Sequence, residues 1–483
     1  MKPENSRAFV WSTLTNLTKL IFSFITPIIL ARLLGPEAFG VIAMAFVLVG
    51  LSQIFIDFGS TEAIVKSKHI TKKFISSLFW FNFVLCTLVF LFVLILTPLI
   101  SEFFQRDQLK ILIPLLSVSM FFQVASIIPT SLFRRNKDFR SITIADVISR
   151  FFSSTLAILS AIFGAEVYSL VVLSVSQSLI YYLVITYKSN ARINRYFSFK
   201  YLRLVFSFTL SLLYIKVVNH IERHSDRLFI GPNFGDATLG IYTRGLGFQK
   251  GLQRFLSGSF NPVFFSVITR ENSENYLKSL LEQSYQGFFL LMYPLFLYFF
   301  YFSDDLVLML FGDEWKFMIE LLPYFALLFL IRPFQKVNQE IIKAKGNIFF
   351  LAACFTVLTP ILIISYYFMP SSAGIYGYIT AYILISILFL IASMIYVRRL
   401  LHLKRFYFFN LFLTFLPRIF FLTLLAIGLK ELVDDTDTYF LNLAIAGLIF
   451  LSFTLGFQRI FAMEAQVKIE KLVIKTLRFK KLA

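Results

Sequence analysis

Two seven-residue stretches, Gly35-Pro36-Glu37-Ala38-Phe39-Gly40-Val41 and Gly235-Asp236-Ala237-Thr238-Leu239-Gly240-Ile241, stand two hundred positions apart, and each joins two helix-length segments. A tight turn that both hairpins need would explain the glycines by itself. The same offset also sets Asn16, Lys19 and Ser23 on Lys216, Asn219 and Arg223, so a polar stripe recurs with the turn and the pair reads as a duplication. Six spans separate the copies, an even number, so both halves cross in the same direction. Parallel repeats of this kind are related by an axis along the membrane normal, with substrate held between two bundles that rock around it.

The membrane itself is read from composition. Hydrophobic residues make up 58% of the 483 positions, and the mean hydropathy is +0.76. Apolar runs of about 20 residues, the length needed to cross a bilayer, predict fourteen spans near 11–32, 38–58, 76–100, 111–133, 142–163, 166–187, 205–230, 236–264, 284–302, 317–336, 348–369, 374–397, 407–428 and 439–457. The seventh, eighth and tenth are the least apolar. The expected fold is an all-α polytopic membrane protein with a six-helix lobe over 1–200, a second over 201–402, an additional helix pair over 403–460 and a basic tail over 461–483.

Loop charge orients these spans, because Lys and Arg of short loops stay cytoplasmic. Clusters at Lys66, Lys68, Lys72 and Lys73, at Arg134, Arg135, Lys137 and Arg140, at Lys188, Arg192, Arg195 and Lys200, and at Arg398, Arg399, Lys404 and Arg405 each follow an even-numbered span. Odd loops are acidic or nearly neutral, as at Asp304, Asp305, Asp313 and Glu314, or at Asp434, Asp435 and Asp437. Both termini are therefore expected in the cytoplasm. The net charge of +19 is mostly this bias plus the tail, which suits anionic headgroups and does not imply nucleic acid. The first span, interrupted by Asn16, Lys19, Ser23 and Thr26, is expected to be retained rather than cleaved. Cys86 and Cys354 have no partner pattern.

Span seven carries the chemistry. Lys216, His220, Arg223 and Arg227 fall on one helical face, with Val217, Val218, Ile221, Leu228 and Phe229 opposite. A charge at membrane depth costs at least about 2.5 kcal/mol on insertion scales, so several together must face a wet cavity or a protein interior. The guest such a face suits is an anion. Glu222 and Asp226 flank the stripe and could neutralise Arg223 and Arg227 locally. Lys19, with Ser12, Asn16, Ser23 and Thr26, forms a matching stripe on span one. In span eight Gly247 and Gly251 allow close packing, and Arg254 shares their face; Arg244 is expected nearer the outer mouth. Arg332, Lys336, Glu340 and Lys343 form a one-sided run at the inner end of span ten, which Pro333 is expected to break.

Two carboxylates invite a coupling role. Asp146 lies one turn from Arg150 in span five, where a structural ion pair and a substrate contact by Arg150 are both open. Asp57 ends span two before Gly59 and is expected at the outer mouth, either as a proton or cation coupling group or as a helix-end hydrogen bond. His220 and His224 have the spacing of two zinc ligands, but no third ligand is evident and no metal is expected. The 62 phenylalanines are accounted for by lipid and helix contacts.

The stretch Ala31-Arg32-Leu33-Leu34-Gly35-Pro36-Glu37-Ala38-Phe39-Gly40, followed by Asp57-Phe58-Gly59, Ser77-Leu78-Phe79-Trp80-Phe81-Asn82 and Leu132-Phe133-Arg134-Arg135, resembles the bacterial polysaccharide transporter family. These are the lipid-linked oligosaccharide (O-antigen and exopolysaccharide) flippases of the superfamily that includes the MATE exporters. The resemblance is sharpest over roughly the first 140 residues and continues in Asp226-Arg227-Leu228-Phe229-Ile230-Gly231 and Gly240-Ile241-Tyr242. Phe58 stands where leucine is more usual. The resemblance implies fourteen helices in a MATE-like arrangement in the bacterial inner membrane. It also implies movement of an undecaprenyl-diphosphate-linked glycan to the outer leaflet, driven by a proton or sodium gradient with no bound cofactor, and glycan polymerases or other assembly proteins as partners. The diphosphate would meet Lys19, Arg150, Lys216, His220, Arg223, Arg227 and Arg254. A MATE-like exporter of small molecules is the alternative transporter, although cations would call for an acidic lumen. A glycan polymerase or ligase would need a long outer loop bearing catalytic groups, and the outer segments are short. A non-catalytic assembly scaffold would not require the cationic face.

Overall fold

The computed structural model describes residues 3–57, 59–67, 70–189, 193–257 and 274–433, and every regular element among them is helical. In order these are α1 (Pro3–Gln53), α2 (Ser60–Lys66), α3 (Lys72–Phe104), α4 (Leu109–Arg135), α5 (Phe139–Ile162), α6 (Tyr168–Tyr187), α7 (Phe199–Ser257), α8 (Glu274–Tyr301), α9 (Ser303–Leu310), α10 (Phe317–Ala344), α11 (Ile348–Tyr367), α12 (Gly374–Leu400), α13 (Tyr407–Leu413) and α14 (Leu416–Val433). The predicted span 439–457, the basic tail, Asp434, Asp435, Asp437 and Gly258 lie outside the described residues, as do Phe58, Lys68 and Arg192.

Two helices are much longer than a membrane is thick, and both are broken. Gly35 interrupts α1 with φ 68° and ψ 176°, and Gly235 interrupts α7 with φ 82° and ψ 178°. A positive φ strains a side chain-bearing residue, so glycine fits this break. Each long helix is thus two arms, corresponding to predicted spans one and two, and seven and eight. The identical backbone state at equivalent positions is what a duplicated hairpin would show.

Nine helices among the described residues are long and apolar enough to cross a membrane, or ten if the bent pair α8 and α9 forms one span. The protein is a multi-pass membrane protein. The tenth predicted span passes the test as α10, which runs without a break through Pro333. The C-terminal part of α10 carries an ion-pair cluster: Glu340 Oε1 lies 2.8 Å from Lys336 Nζ and 3.2 Å from Lys343 Nζ.

The chain divides into two compact units, one of residues 1–251 with 355–378 and the other of 252–354 with 379–483. In the first, α3 packs on α4, α5 on α6, and α1 on α5. Small hydroxyl residues sit at these contacts: Ser117, Ser119, Ser131, Ser149 and Ser153 are buried, and Thr26 and Ser154 share a hydrogen bond of 2.8 Å between α1 and α5. Small side chains let membrane helices approach, and their hydroxyls are satisfied by the helix's own carbonyls, as where Ser117 Oγ donates to Ile113 O at 2.7 Å. In the second unit α8 packs on α10 and α14. There Tyr285 donates to Asn338 Oδ1 at 3.0 Å, and Asn338 Nδ2 to Ser393 Oγ at 3.0 Å.

Candidate functional site

The first arm of α7 lies antiparallel against the second arm of α1. His220 meets Val47, Nε2 to carbonyl oxygen 3.3 Å, and a methyl on Gly50 would fall 2.8 Å from His220 Cε1. One heptad further out, Arg227 Nη1 donates to Ala43 O at 3.2 Å. Seven residues bring a helix through nearly two turns, so the two side chains share a face.

Beside Arg227 opens a cavity of about 390 Å³, walled by both arms of α1, by α6 and by both arms of α7. Its charged lining is Arg227, Arg244, Lys250 and Asp226; its polar lining includes Ser174, Gln177 and Thr243, and its apolar wall includes Pro27, Leu30, Phe39, Phe46 and Leu173. Asp226 is buried, and its two oxygens are engaged nearby: Oδ2 accepts from the Tyr242 hydroxyl at 2.7 Å and Oδ1 from the Arg227 backbone N–H at 2.8 Å. The Arg244 guanidinium lies over Phe39, 4.8 Å from the ring centroid. Three cations against one carboxylate in a half-open, partly apolar space favour a multiply charged anion, and arginine's planar fork suits phosphate oxygens.

The cavity differs from the face expected from sequence. Arg227 lines it, while Lys216 and Arg223 on the same arm are exposed and His220 is half-buried against Val47 and Gly50. Arg244, expected at the outer mouth, and Lys250 supply the remaining cations. Both lie on the second arm of α7, where no single-helix stripe announces them; only the fold of the hairpin at Gly235 turns Arg244 towards Arg227. Arg254 is exposed near the C-terminal end of that arm. Gly251 does allow close packing, since a methyl there would fall 2.9 Å from Phe24 Cε2. The backbone of Lys19 lies in α1, and its side chain is outside the described residues.

Arg150 is paired, Nε to Asp146 Oδ2 at 2.9 Å. Asp57 follows the second arm of α1, at the end away from Gly35. Its Oδ1 accepts from the Thr61 N–H at 3.2 Å and so caps α2, at the end of the hairpin that bears the basic cluster. Arg135 reaches the same short helix, donating to Ile64 O at 2.8 Å and to Ser67 O. Asn82 Nδ2 donates to Ser60 Oγ at 2.8 Å. The motif residues Asp57, Gly59, Asn82 and Arg135 therefore converge to hold one turn of structure. The His220 and His224 rings stand 4.3 Å apart, and no group of three or more His, Cys, Asp or Glu residues among the described residues could hold a metal.

The described helices thus form a multi-pass bundle with two glycine-broken hairpins and a cationic cavity walled by their arms and by α6. A solved structure described as the lipid II flippase MurJ in an inward closed conformation superposes with a TM-score of 0.73 over 94% of this chain and 100% of that one, at 16% identity. An inward-facing multidrug resistance MATE family transporter superposes at 0.65 over 82% of this chain and 98% of that one, at 13% identity. At such identities these show the fold alone. The chain belongs to the polysaccharide biosynthesis protein family, whose model matches residues 29–320. It is 25% identical over 309 residues to the teichuronic acid biosynthesis protein TuaB of Bacillus subtilis, covering 61% of this chain and 62% of that one. It is 23% identical over 318 residues to the succinoglycan biosynthesis transport protein ExoT of Rhizobium meliloti, covering 66% and 64%. The lipopolysaccharide biosynthesis protein WzxC of Escherichia coli is 21% identical over 351 residues, covering 70% and 69%. The chain thus spans just under two thirds of the length of TuaB and of ExoT.

Proposed function

We propose that this protein is a flippase that moves an undecaprenyl-diphosphate-linked oligosaccharide from the cytoplasmic to the outer leaflet of the bacterial inner membrane for surface polysaccharide synthesis. The observation that carries the reading is the cavity lined by Arg227, Arg244 and Lys250, in a chain of the polysaccharide biosynthesis protein family. The diphosphate is held by guanidinium forks and the lysine point charge, the glycan occupies water, and the lipid tail stays in the bilayer. Lys19, Lys216, His220, Arg223 and Arg254 extend the cationic path along the hairpin arms. Six-helix lobes over 1–200 and 201–402 rock against each other, with the pair over 403–460 appended and both termini cytoplasmic. A proton or sodium gradient drives the cycle, with Asp146 as the carboxylate best placed to couple it; Asp57, which caps α2, is the second candidate. The protein is a transporter rather than an enzyme, and its partners are the lipid-linked glycan, membrane lipids and the proteins that assemble the polymer.

The test is to quantify the lipid-linked oligosaccharide left on the inner leaflet of cells lacking the protein. Build-up relieved by wild type, but not by Arg227→Glu or Arg223→Glu variants that insert normally, is the expected result. Finished units already outside but unpolymerised would move the reading to a polymerase or ligase, and full relief by Arg227→Glu would remove the cavity from the mechanism.

A further inference from the structure

The loop that follows α12, read above only as an orienting basic cluster, builds a second cationic concavity. α12 ends with Arg398 and Arg399 in its last turn. The chain then reverses through His402, whose φ of 47° is the left-handed state that glycine usually supplies at a helix end. The turn satisfies the helix with its own amides: Leu401 N–H donates to Val397 O at 3.0 Å and Leu403 N–H to Arg398 O at 2.9 Å. Basic side chains at helix ends often cap these carbonyls, and here the backbone does so instead. Arg398 Nη1 reaches across to the carbonyl of Arg405 at 3.4 Å. Arg398, Arg399 and Arg405 therefore line one wide, open cleft, which His402 and Leu403 complete.

We propose that this cleft binds the phosphodiester headgroup of an anionic phospholipid of the surrounding bilayer. Three guanidiniums share it with no carboxylate in its lining. Glu274 stands 3.9 Å from His402 Nε2, and Glu282 accepts a hydrogen bond from Tyr407 at 2.8 Å. Like charges gathered this way are stabilised by a bound anion, and the guanidinium fork matches phosphate oxygens. The carbonyl end of α12 opposes an anion with a partial charge of only about half a unit, against three full cations.

The rings beside the cleft choose the source of the phosphate. Phe406 and Phe409 are 62% and 61% exposed, and the Arg405 guanidinium lies 5.8 Å from the Phe406 ring centroid. Exposed phenylalanines beside arginines suit the headgroup/acyl boundary, where apolar rings bury and cations meet anionic lipids. They offer acyl chains a contact and offer a free phosphate ion nothing.

Native mass spectrometry of the full chain, titrated with phosphatidylglycerol or phosphatidylcholine, tests this. Wild type is expected to retain phosphatidylglycerol over phosphatidylcholine by about fivefold or more. The R398Q/R399Q/R405Q variant is expected to lose that preference. An R134Q/K137Q/R140Q variant, which removes the same charge from another basic loop, is expected to keep it. Equal loss in both variants would reduce the cleft to diffuse basic charge, and unchanged retention by the first would remove the site; either overturns the proposal. So would displacement of the lipid by inorganic phosphate at equal concentration. A measurement independent of mutation is hydrogen exchange on wild type: phosphatidylglycerol is expected to slow exchange over residues 400–406 relative to phosphatidylcholine, and no difference overturns the assignment.

Discussion

Gly240 lies so close to Gly40 that a methyl group on it would fall 2.9 Å from the Gly40 backbone nitrogen and 1.9 Å from the carbonyl oxygen of Pro36. A methyl on Gly40 would in turn fall 1.9 Å from the carbonyl oxygen of Asp236. Positions 36 and 40 thus meet positions 236 and 240 in exchange, which is the contact two identical copies make about a twofold axis. In each heptad the first glycine permits the break and the second permits the crossing.

That crossing predicts unequal effects of alanine. At Gly40 or Gly240 the obstructing atoms are backbone and cannot swing aside, so Gly40→Ala and Gly240→Ala should each force the hairpins apart and destabilise by about 1–3 kcal/mol. At Gly50 the obstruction is the His220 ring, 2.8 Å away, and a side chain can rotate. Thermal midpoints in detergent should fall clearly for the first two variants and little for Gly50→Ala; equal shifts would mean the crossing is not tight.

An ion pair fastens the same end of the hairpin. Arg106, in the turn between α3 and α4, places Nε 2.8 Å from Asp236 Oδ2 and 3.0 Å from Oδ1. Arg106 is 48% exposed, so the pair should contribute no more than about 1 kcal/mol. A double-mutant cycle on Arg106→Ala and Asp236→Ala is expected to return a coupling of about 0.2–1 kcal/mol, with the charge swap Arg106→Asp/Asp236→Arg recovering part of it. A cycle that closes to zero would show that the pair merely decorates the glycine contact.

Much of this was legible in the sequence. The duplicated heptad announced both the break and the symmetry, because a positive φ and a backbone crossing leave little choice but glycine. Span limits were legible too, since apolar length is set by bilayer thickness. The cavity was legible only in part. Arg227 stood out because span seven carries a stripe that a helical wheel reveals, whereas Arg244 and Lys250 belong to an arm whose cations are spread around the helix. Their role depends on the hairpin's fold, a long-range fact with no local period. Asp57 left two readings open, a coupling group or a helix-end hydrogen bond, because the helix it serves, α2, has seven residues that no apolar pattern marks.

Arg227 and Arg244 make a testable pair because they line one cavity from two arms. If the cavity holds the diphosphate as proposed, each Ala variant removes one charge-assisted contact to it, worth about 1.5–3 kcal/mol, or about 10- to 150-fold in transport. Their joint loss should be less than the product of the two, as expected for groups that hold one ligand. Arg254→Ala, at an exposed position, should cost less than either. Inner-leaflet accumulation in complemented cells gives the ranking, and an Arg254 effect larger than that of Arg244 would shift the site towards the C-terminal end of α7.

Asp146 and Arg150 separate structure from coupling. The pair is nearly buried, with 9% of the Asp146 side chain and 20% of the Arg150 side chain exposed, so removing only the carboxylate strands a cation. Asp146→Ala should therefore destabilise by about 3 kcal/mol, and Asp146→Ala/Arg150→Ala should recover most of that loss. If the pair is only structural, the double variant should also recover transport in proportion to its stability. If Asp146 couples the gradient, the double variant should fold well and still fail to respond when the proton or sodium gradient is imposed on reconstituted vesicles. Restored stability with restored gradient dependence would exclude Asp146 from coupling and leave Asp57 as the carboxylate to examine.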